Sequence, residues 1–372
     1  MNASSESGTQ GGAKEPAPPG PPDTGRTPVP PPGSSLAKRL LLPILKFGIA
    51  GGLLYYVLQT KMNSTAKDEL KRIFVDSPGI LLLAIGTFTV QLFIGAHRMR
   101  VLLLPQEVPI RYFQALRLNY LGAFFDTFMV TSVGGDAVKA IYLARESPPG
   151  RRLQAVSVLL LDRLIGLLGL LALMVLMTLV HYQQLNADPD IQPYMKWLLL
   201  VPIMLLIGTA MLLSGRMYRI FSSIFGLSNR YRVLHKLSPL ASTLDRVYAS
   251  LQKYRERKLV LFHAWVLSLA VHLFGVICGY VLLGGMGQGN RPFGPFLVAW
   301  FISNFICSFA PFGGIGVGQT VFDPIFLKIA DVQNGWVLAT AVQATAILAK
   351  MPGLVAWIAS REQTPTSGPD KS

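Results

Sequence analysis

Thr131-Ser132-Val133-Gly134-Gly135-Asp136-Ala137-Val138-Lys139 is a polar stretch between two strongly apolar runs, 124–130 and 156–180. Glycine pairs end helices, and hydrocarbon tolerates non-helical backbone only where protein or a water-filled cavity covers it. A second break of this kind reads Ala310-Pro311-Phe312-Gly313-Gly314-Ile315-Gly316-Val317-Gly318-Gln319. The two breaks therefore predict interrupted helices and mark the expected functional centre.

The composition is that of a membrane protein. Of the 372 residues, 51% are hydrophobic and only 14% are charged, whereas a soluble chain carries about 25% charged residues. Several apolar runs approach the ~20 residues that cross a bilayer core. The net charge of +15 is explained by basic cytoplasmic loops, and no nucleic-acid recognition motif accompanies it. Two cysteines in apolar runs make neither a disulfide framework nor a metal site, and no cofactor is predicted.

The predicted architecture is all-α and polytopic, with six full spans and two glycine-broken re-entrant hairpins in an inverted repeat. A transmembrane domain of 36–359 is expected between two disordered tails, a Pro- and Gly-rich segment 1–35 and residues 360–372. The hairpins are 112–145 and 295–330, which are apolar but interrupted halfway. The spans are predicted at 40–59, 78–104, 155–180, 196–214, 259–283 and 336–359.

The distribution of Lys and Arg predicts the orientation. Bases gather in the loops 99–117, 139–152 and 215–258, while the intervening loops are poorer in them. The positive-inside rule then places both termini in the cytoplasm. Within 215–258, apolar residues at helical spacing among the bases predict an amphipathic segment, lying either on the inner leaflet or against the spans.

The two halves, 40–180 and 196–359, follow the same order of span, span, hairpin, span. Three spans and a hairpin per half give the halves opposite orientations. The break Gly134-Gly135-Asp136-Ala137-Val138 matches Gly313-Gly314-Ile315-Gly316-Val317, and 161–167 matches 348–354 as leucine-x-base-x-x-glycine-leucine. Inverted repeats with broken helices in corresponding positions point to a transporter-like site at the bilayer midplane.

Two bases, Arg163 and Lys350, stand inside otherwise apolar spans. A base at the centre of a spanning helix costs roughly 2.5–3.5 kcal/mol, so it usually faces a partner or a cavity. For Arg163 the partner is an acid, Asp162, Asp126 or Asp136, or else a ligand. For Lys350 it is Asp323 or a ligand anion. Arginine binds phosphate oxygens in a bidentate fork and lysine binds them as a point charge, so both bases fit a lipid phosphate.

The glycine breaks complement this interpretation. A helix restarting after Gly135 or Gly314 would present unpaired N–H groups and a partial positive charge to an anion, although plain hairpin turns explain the glycines equally well. The predicted headgroup cavity comprises Arg163, Lys350, Asp162, Gly134, Gly135, Asp136, Lys139, Gly313, Gly314, Gln319 and Asn304.

These residues resemble the flippase-like lysylphosphatidylglycerol synthase transmembrane-region family. The resemblance covers about 40–359 and rests on Thr131–Arg145, on Leu160–Arg163 and on Pro311–Gly316. It implies a protein of a bacterial-type inner (plasma) membrane, related to the flippase portion of enzymes that aminoacylate phosphatidylglycerol. Because the chain ends at Ser372, aminoacyl transfer itself is not expected. Gln319 stands where an acid is expected in many relatives.

Three functions remain open from the sequence. The first is a flippase that moves an anionic phospholipid or a polyprenyl-phosphate-linked lipid, with membrane lipids as its partners and a separate lipid-modifying enzyme beside it. The second is a glycosyltransferase-like membrane enzyme, suggested by the outer acids Asp68, Glu69, Asp188 and Asp190. The third is a non-catalytic partner that recruits another protein through its tail or basic loop.

Overall fold

The computed structural model describes residues 51–52, 55–129, 134–148, 150–189, 191–214, 253–254, 256–310 and 314–362, and all regular structure in these ranges is helical. The predicted tail 1–35, nearly all of the basic segment 215–258 and Gly313 lie outside the described residues. The helix that ends the described chain runs to Glu362, so the start of the tail predicted at 360 is helical instead.

Thirteen helices are described. We number them α1 (55–61), α2 (Ser64–Lys71), α3 (Pro78–Leu103), α4 (Tyr112–Phe128), α5 (Gly134–Glu146), α6 (Arg152–Val180), α7 (Tyr182–Ala187), α8 (Met195–Ser214), α9 (Lys258–Gly285), α10 (Phe293–Cys307), α11 (Val317–Ala330), α12 (Gly335–Lys350) and α13 (Pro352–Glu362).

Four described helical segments are long and apolar enough to cross a membrane: Pro78–Gln106, Arg152–Val180, Lys258–Gly285 and Gly335–Ile358. Each starts or ends within three residues of a predicted span. The last one is interrupted at Met351, where Pro352 begins α13. A shorter apolar helical stretch, Gln192–Gly208, includes the turn before α8 and most of α8. The first predicted span, 40–59, is described only in part.

Each predicted hairpin coincides with a pair of helices packed on each other, α4 with α5 and α10 with α11. Arg117 near the start of α4 forms an ion pair with Glu146, the last residue of α5, so these two helices run antiparallel. Arg291 before α10 likewise pairs with Asp331 after α11. Within the two links, residues 130–133 and 311–313 lie outside the described ranges.

The connections between helices form two groups at opposite ends of the bundle. At one end, Glu107 after α3 pairs with Arg151 before α6, and Lys253 before α9 is 4.0 Å from Glu107. At the other end, Gln288 after α9 donates to Glu69 of α2 at 2.8 Å and to the Gln333 carbonyl at 2.9 Å. These are the same two groups of loops that the distribution of charge separated.

Helices α3 and α9 form the centre of the bundle, and the other contacts repeat around them. The contact of α3 with α4 has its counterpart in α9 with α10, and that of α5 with α6 has its counterpart in α11 with α12. Across the bundle, α6 packs on α9 and α10, as α12 packs on α3 and α13 packs on α4. Exchanging the two halves of the chain therefore leaves this set of helix contacts unchanged.

Small residues permit the closest of these approaches. A Cβ atom at Gly353 would overlap the Tyr120 carbonyl oxygen and approach the Phe124 side chain to 2.7 Å, so only glycine lets α13 lie this close to α4. Many large apolar side chains nevertheless remain exposed on the outer faces of the long helices, as expected for surfaces that contact lipid. Examples are Leu82, Leu83, Leu160, Leu176, Leu179, Met204, Ile207, Leu259, Phe262 and Leu273.

Candidate functional site

The first antiparallel pair, α4 with α5, carries a cluster of charged side chains near its break. Arg163 of α6 donates from Nε to Asp136 in the first turn of α5. Its Nη2 atom lies 3.7 Å from Oδ1 of Asp126 in α4. The acid partner of Arg163 is therefore one of the predicted alternatives, Asp136, with Asp126 as a second and looser partner.

Lys139 joins the cluster from the next turn of α5. Its Nζ lies 3.6 Å from Asp136 Oδ1 and donates to Asn119 Oδ1 at 3.2 Å. Asn119 in turn donates to the Leu92 carbonyl of α3 at 2.8 Å. A Cβ atom at Gly122 would overlap the Lys139 side chain, so that glycine gives the lysine room to lie across α4.

Lys350 reaches the same cluster from the second half of the chain. Its Nζ donates to Thr127 Oγ1 of α4 at 3.1 Å and lies 5.8 Å from the centre of the Phe88 ring. The acid that acts on Lys350 electrostatically is Asp126. Its predicted acid partner, Asp323, instead pairs with Lys61 and accepts the Trp336 N–H at 3.3 Å.

Asp126 lies close enough to the other charged residues of the cluster to interact electrostatically with all four of them, namely Lys350, Arg163, Asp136 and Lys139. Three bases face two acids, which leaves one surplus positive charge within the described residues. The link 130–133 reads Val-Thr-Ser-Val and adds no ionisable side chain. The Arg163 and Asp126 side chains are also the most accessible of the salt-bridged members, at 39% and 36% exposure.

Asp162 lies outside this cluster. Its carboxylate accepts Arg98 Nε at 2.7 Å and Arg98 Nη2 at 3.0 Å in a bidentate pair, with side chains only 13% and 11% exposed. Adjacent residues of a helix point about 100° apart, so Asp162 faces α3 while Arg163 faces α5. The Asp162–Arg98 pair is neutral as a unit and ties α6 to α3.

Gln319 forms a separate, fully bonded group in the second half. Its Oε1 accepts the Gly316 N–H at 2.8 Å, and its Nε2 donates to Gln343 Oε1 at 3.0 Å and to Thr340 Oγ1 at 3.4 Å. Gln319 is buried, and these bonds tie α11 to α12. Gly314 lies beside the same Gln343 amide and has a positive φ of 85°, which explains the glycine without a ligand.

Asn304 lies in a third place. Its Nδ2 donates to the Trp300 carbonyl one turn earlier at 2.9 Å. With Gln91 and His272 it lines a cavity of about 80 Å³ between α3, α9, α10 and α12. The structure thus brings together Arg163, Lys350, Asp136 and Lys139 and leaves Asp162, Gln319 and Asn304 apart.

The glycines of the first break have a packing role. Among the described residues the helix begins at Gly134, and both Gly134 and Gly135 are buried in the contact with α4. A Cβ atom at Gly135 would overlap the Gly122 carbonyl oxygen and approach the Asp126 Cβ to 2.8 Å. In the second break the helix restarts at Val317, after Gly316 with φ of 82°. The restarts were predicted to follow Gly135 and Gly314. The described part of α5 already includes Gly135, whereas α11 begins three residues after Gly314.

Three contributors were missed from the sequence: Asn119, Thr127 and Arg98. Asn119 and Thr127 share a face of α4 with Asp126, since residues seven or eight apart fall on one side of a helix. This polar stripe in an apolar helix was the available signal. Of the acids predicted to lie on the outer side, Glu69 accepts hydrogen bonds from Gln288 and Asn334, at 2.8 and 2.9 Å, and Asp190 lies outside the described residues.

Comparison with known families decides the classification. The family described as lysylphosphatidylglycerol synthase TM region matches residues 44–355, nearly the whole described chain. The chain belongs to this family. No individual curated protein matches it significantly. Membership agrees with the long apolar helices and makes this a membrane protein related to lipid handling.

Proposed function

We propose that this protein is a flippase-type transporter that moves an anionic phospholipid or a polyprenyl-phosphate-linked lipid across a bacterial-type inner (plasma) membrane. The observation that carries the proposal is the cluster around Asp126, in which three bases face two acids inside an apolar helix bundle. A surplus base in hydrocarbon is costly unless an anion balances it. A lipid phosphate supplies that anion.

The depth of the two bases supports a site away from both surfaces. Arg163 is eleven residues from the start of α6, and Lys350 is fifteen from the start of α12. At 1.5 Å per residue Arg163 is ~17 Å from the start of α6, and Lys350 is ~23 Å from the start and ~12 Å from the end of its apolar segment Gly335–Ile358, whereas a hydrocarbon core is about 30 Å thick. A headgroup that reaches these bases has therefore left its own interface.

The arrangement of the helices supports alternating access. Helix contacts that survive exchange of the two halves are expected of an inverted repeat. In that arrangement, α4 with α5 enters from the cytoplasmic side and α10 with α11 from the outer side, with both termini in the cytoplasm. The ion pair Lys61–Asp323 and the bonds of Glu69 to Gln288 and Asn334 close the outer end.

Arg163 is suited to first contact with the headgroup. Its guanidinium is the most exposed charge of the cluster and holds Asp126 only at 3.7 Å. A phosphate can form the bidentate pair that Asp126 does not form with it. Lys350, from the opposite half, then supplies a second positive charge beside Thr127, the neighbour of Asp126.

Translocation in proteoliposomes tests the proposal. The protein is reconstituted with acyl-labelled phosphatidylglycerol, and transfer between leaflets is followed by chemical quenching of the outer label. We expect Arg163→Gln and Lys350→Met each to slow transfer at least roughly tenfold, because a charge-assisted hydrogen bond is worth about 1.5–3 kcal/mol. Lys67→Gln, at an exposed position of α2, is the matched control and keeps the wild-type rate.

Unchanged rates in both cluster variants would refute the assignment of the site. Absence of transfer by the wild-type protein, with every lipid tried, would refute the transport function. Unfolding midpoints in detergent, measured for each variant, separate a loss of the site from a loss of the fold.

A further inference from the structure

The number of charges in the cluster sets what it can bind. Arg163 contacts both Asp136 and Asp126, Lys139 lies 3.6 Å from Asp136, and Lys350 is bonded to Thr127 beside Asp126, so the five charged side chains lie close enough to form one electrostatic unit. In their ordinary ionised forms they leave one surplus positive charge. The neighbouring Arg98–Asp162 pair is internally balanced and leaves this surplus unchanged.

Charge imbalance is expensive in this setting. The cluster lies between apolar helices, where the Coulomb energy between unit charges is several times larger than in water. A headgroup with one negative charge neutralises the surplus. A headgroup with two or three negative charges replaces it with an excess of the other sign, and a zwitterion brings a cation of its own toward Arg163 and Lys350.

We propose that the cluster selects lipids whose headgroup carries a single net negative charge, the class of a phosphodiester such as phosphatidylglycerol. The selection rests on the proposed transport function and narrows its substrate. Lipids with a phosphomonoester or a diphosphate, and zwitterionic lipids, are then poor substrates.

The loosest contact of the cluster is where the headgroup enters. Asp126 Oδ1 is buried, has no hydrogen-bond donor among the described residues and is 3.7 Å from Arg163 Nη2. A phosphodiester oxygen takes that place on Arg163. The Asp126 carboxylate then still balances Lys350, so the net charge of the five side chains and the headgroup is zero.

Substitutions that change the count by one unit test the selection. Asp126→Asn raises the surplus to two, and Lys350→Met lowers it to zero. The double variant Asp126→Asn/Lys350→Met restores a surplus of one. Transfer is measured in proteoliposomes with three acyl-labelled lipids: zwitterionic phosphatidylcholine, monoanionic phosphatidylglycerol and polyanionic phosphatidylinositol phosphate.

The wild-type protein is expected to prefer phosphatidylglycerol by roughly tenfold or more, since one unit charge at these distances has at least that effect even at a dielectric constant near 20. Asp126→Asn should shift the preference toward the polyanionic lipid and Lys350→Met toward the zwitterionic lipid. The double variant should recover the preference for phosphatidylglycerol, which two merely structural defects would not do.

The possible failures are distinct. Equal transfer of all three lipids by the wild-type protein overturns the selection but leaves the transport function standing. A double variant without recovered preference also overturns the selection. No transfer of any lipid by the wild-type protein overturns the transport function and the selection with it. Lys67→Met controls for surface charge and is expected to show the wild-type preference.

Discussion

Removing one member of the Arg98–Asp162 pair should be far more damaging than removing both. The two side chains are 11% and 13% exposed and are joined by bonds of 2.7 and 3.0 Å. With charge centres about 4 Å apart and an effective dielectric constant near 20, the attraction is ~4 kcal/mol. Breaking a buried pair from one side costs about 3–5 kcal/mol, whereas replacing both partners with apolar residues is close to neutral.

The free energy of unfolding, from denaturing-detergent titration, checks this expectation. Arg98→Met and Asp162→Leu should each lose about 3–5 kcal/mol, and the double variant should regain most of that loss. Arg100→Met is the matched control on the same helix. Within the described part of the chain Arg100 donates to the Ile110 carbonyl at 3.3 Å and forms no ion pair, so its loss should cost about 1 kcal/mol. Additive losses in the double variant would refute the reasoning.

Two further variants address other contacts. Burial raises the pKa of Glu69 above its ordinary value of 4.5. As the pH rises, the folded state therefore loses this proton at a higher pH than the unfolded state does. The free energy of unfolding consequently falls as the pH rises from 4.5 through the raised pKa. Glu69→Gln should remove this loss. Its advantage in unfolding midpoint should be present at pH 7 and vanish below about pH 4.5; an equal advantage at both pH values would contradict the assignment. Gly353→Val should lower the free energy of unfolding by about 1–3 kcal/mol or more, because the valine side chain would overlap the Tyr120 carbonyl. The control Gly208→Val, at an open position of α8, should lower the free energy of unfolding far less. An equal loss at both sites would argue against close packing of α13 on α4.

The helices themselves could be predicted closely from the sequence. Apolar runs define where a helix must satisfy its own backbone in hydrocarbon, so α3, α6 and α9 start and end within three residues of the predicted spans. The helices on either side of the two breaks, α4 with α5 and α10 with α11, could be predicted in the same way, because glycine and proline end helices locally. These are properties of short stretches of chain.

The partners of the charged residues were predictable only in part. Asp136 and Asp126 were among the acids considered for Arg163, but the sequence alone does not say which way α6 is rotated, and Asp162 therefore stayed in the list. For Lys350, which has no acid within its own span, Asp323 or a ligand anion was expected. Lys350 instead reaches Thr127, the neighbour of Asp126, because α12 and α13 pack against α4, a contact between halves that no local pattern contains.

The cluster around Asp126 also has a consequence for biosynthesis. Arg163 follows its partner Asp136 by only 27 residues, but Lys350 follows its partner Thr127 by 223. At about 5–20 residues per second, roughly 11–45 s of translation separate the synthesis of Thr127 from that of Lys350. The nascent first half therefore waits in the bilayer with two bases facing two acids, and the cluster gains its surplus positive charge only when the ribosome delivers Lys350 from the far end of the polypeptide.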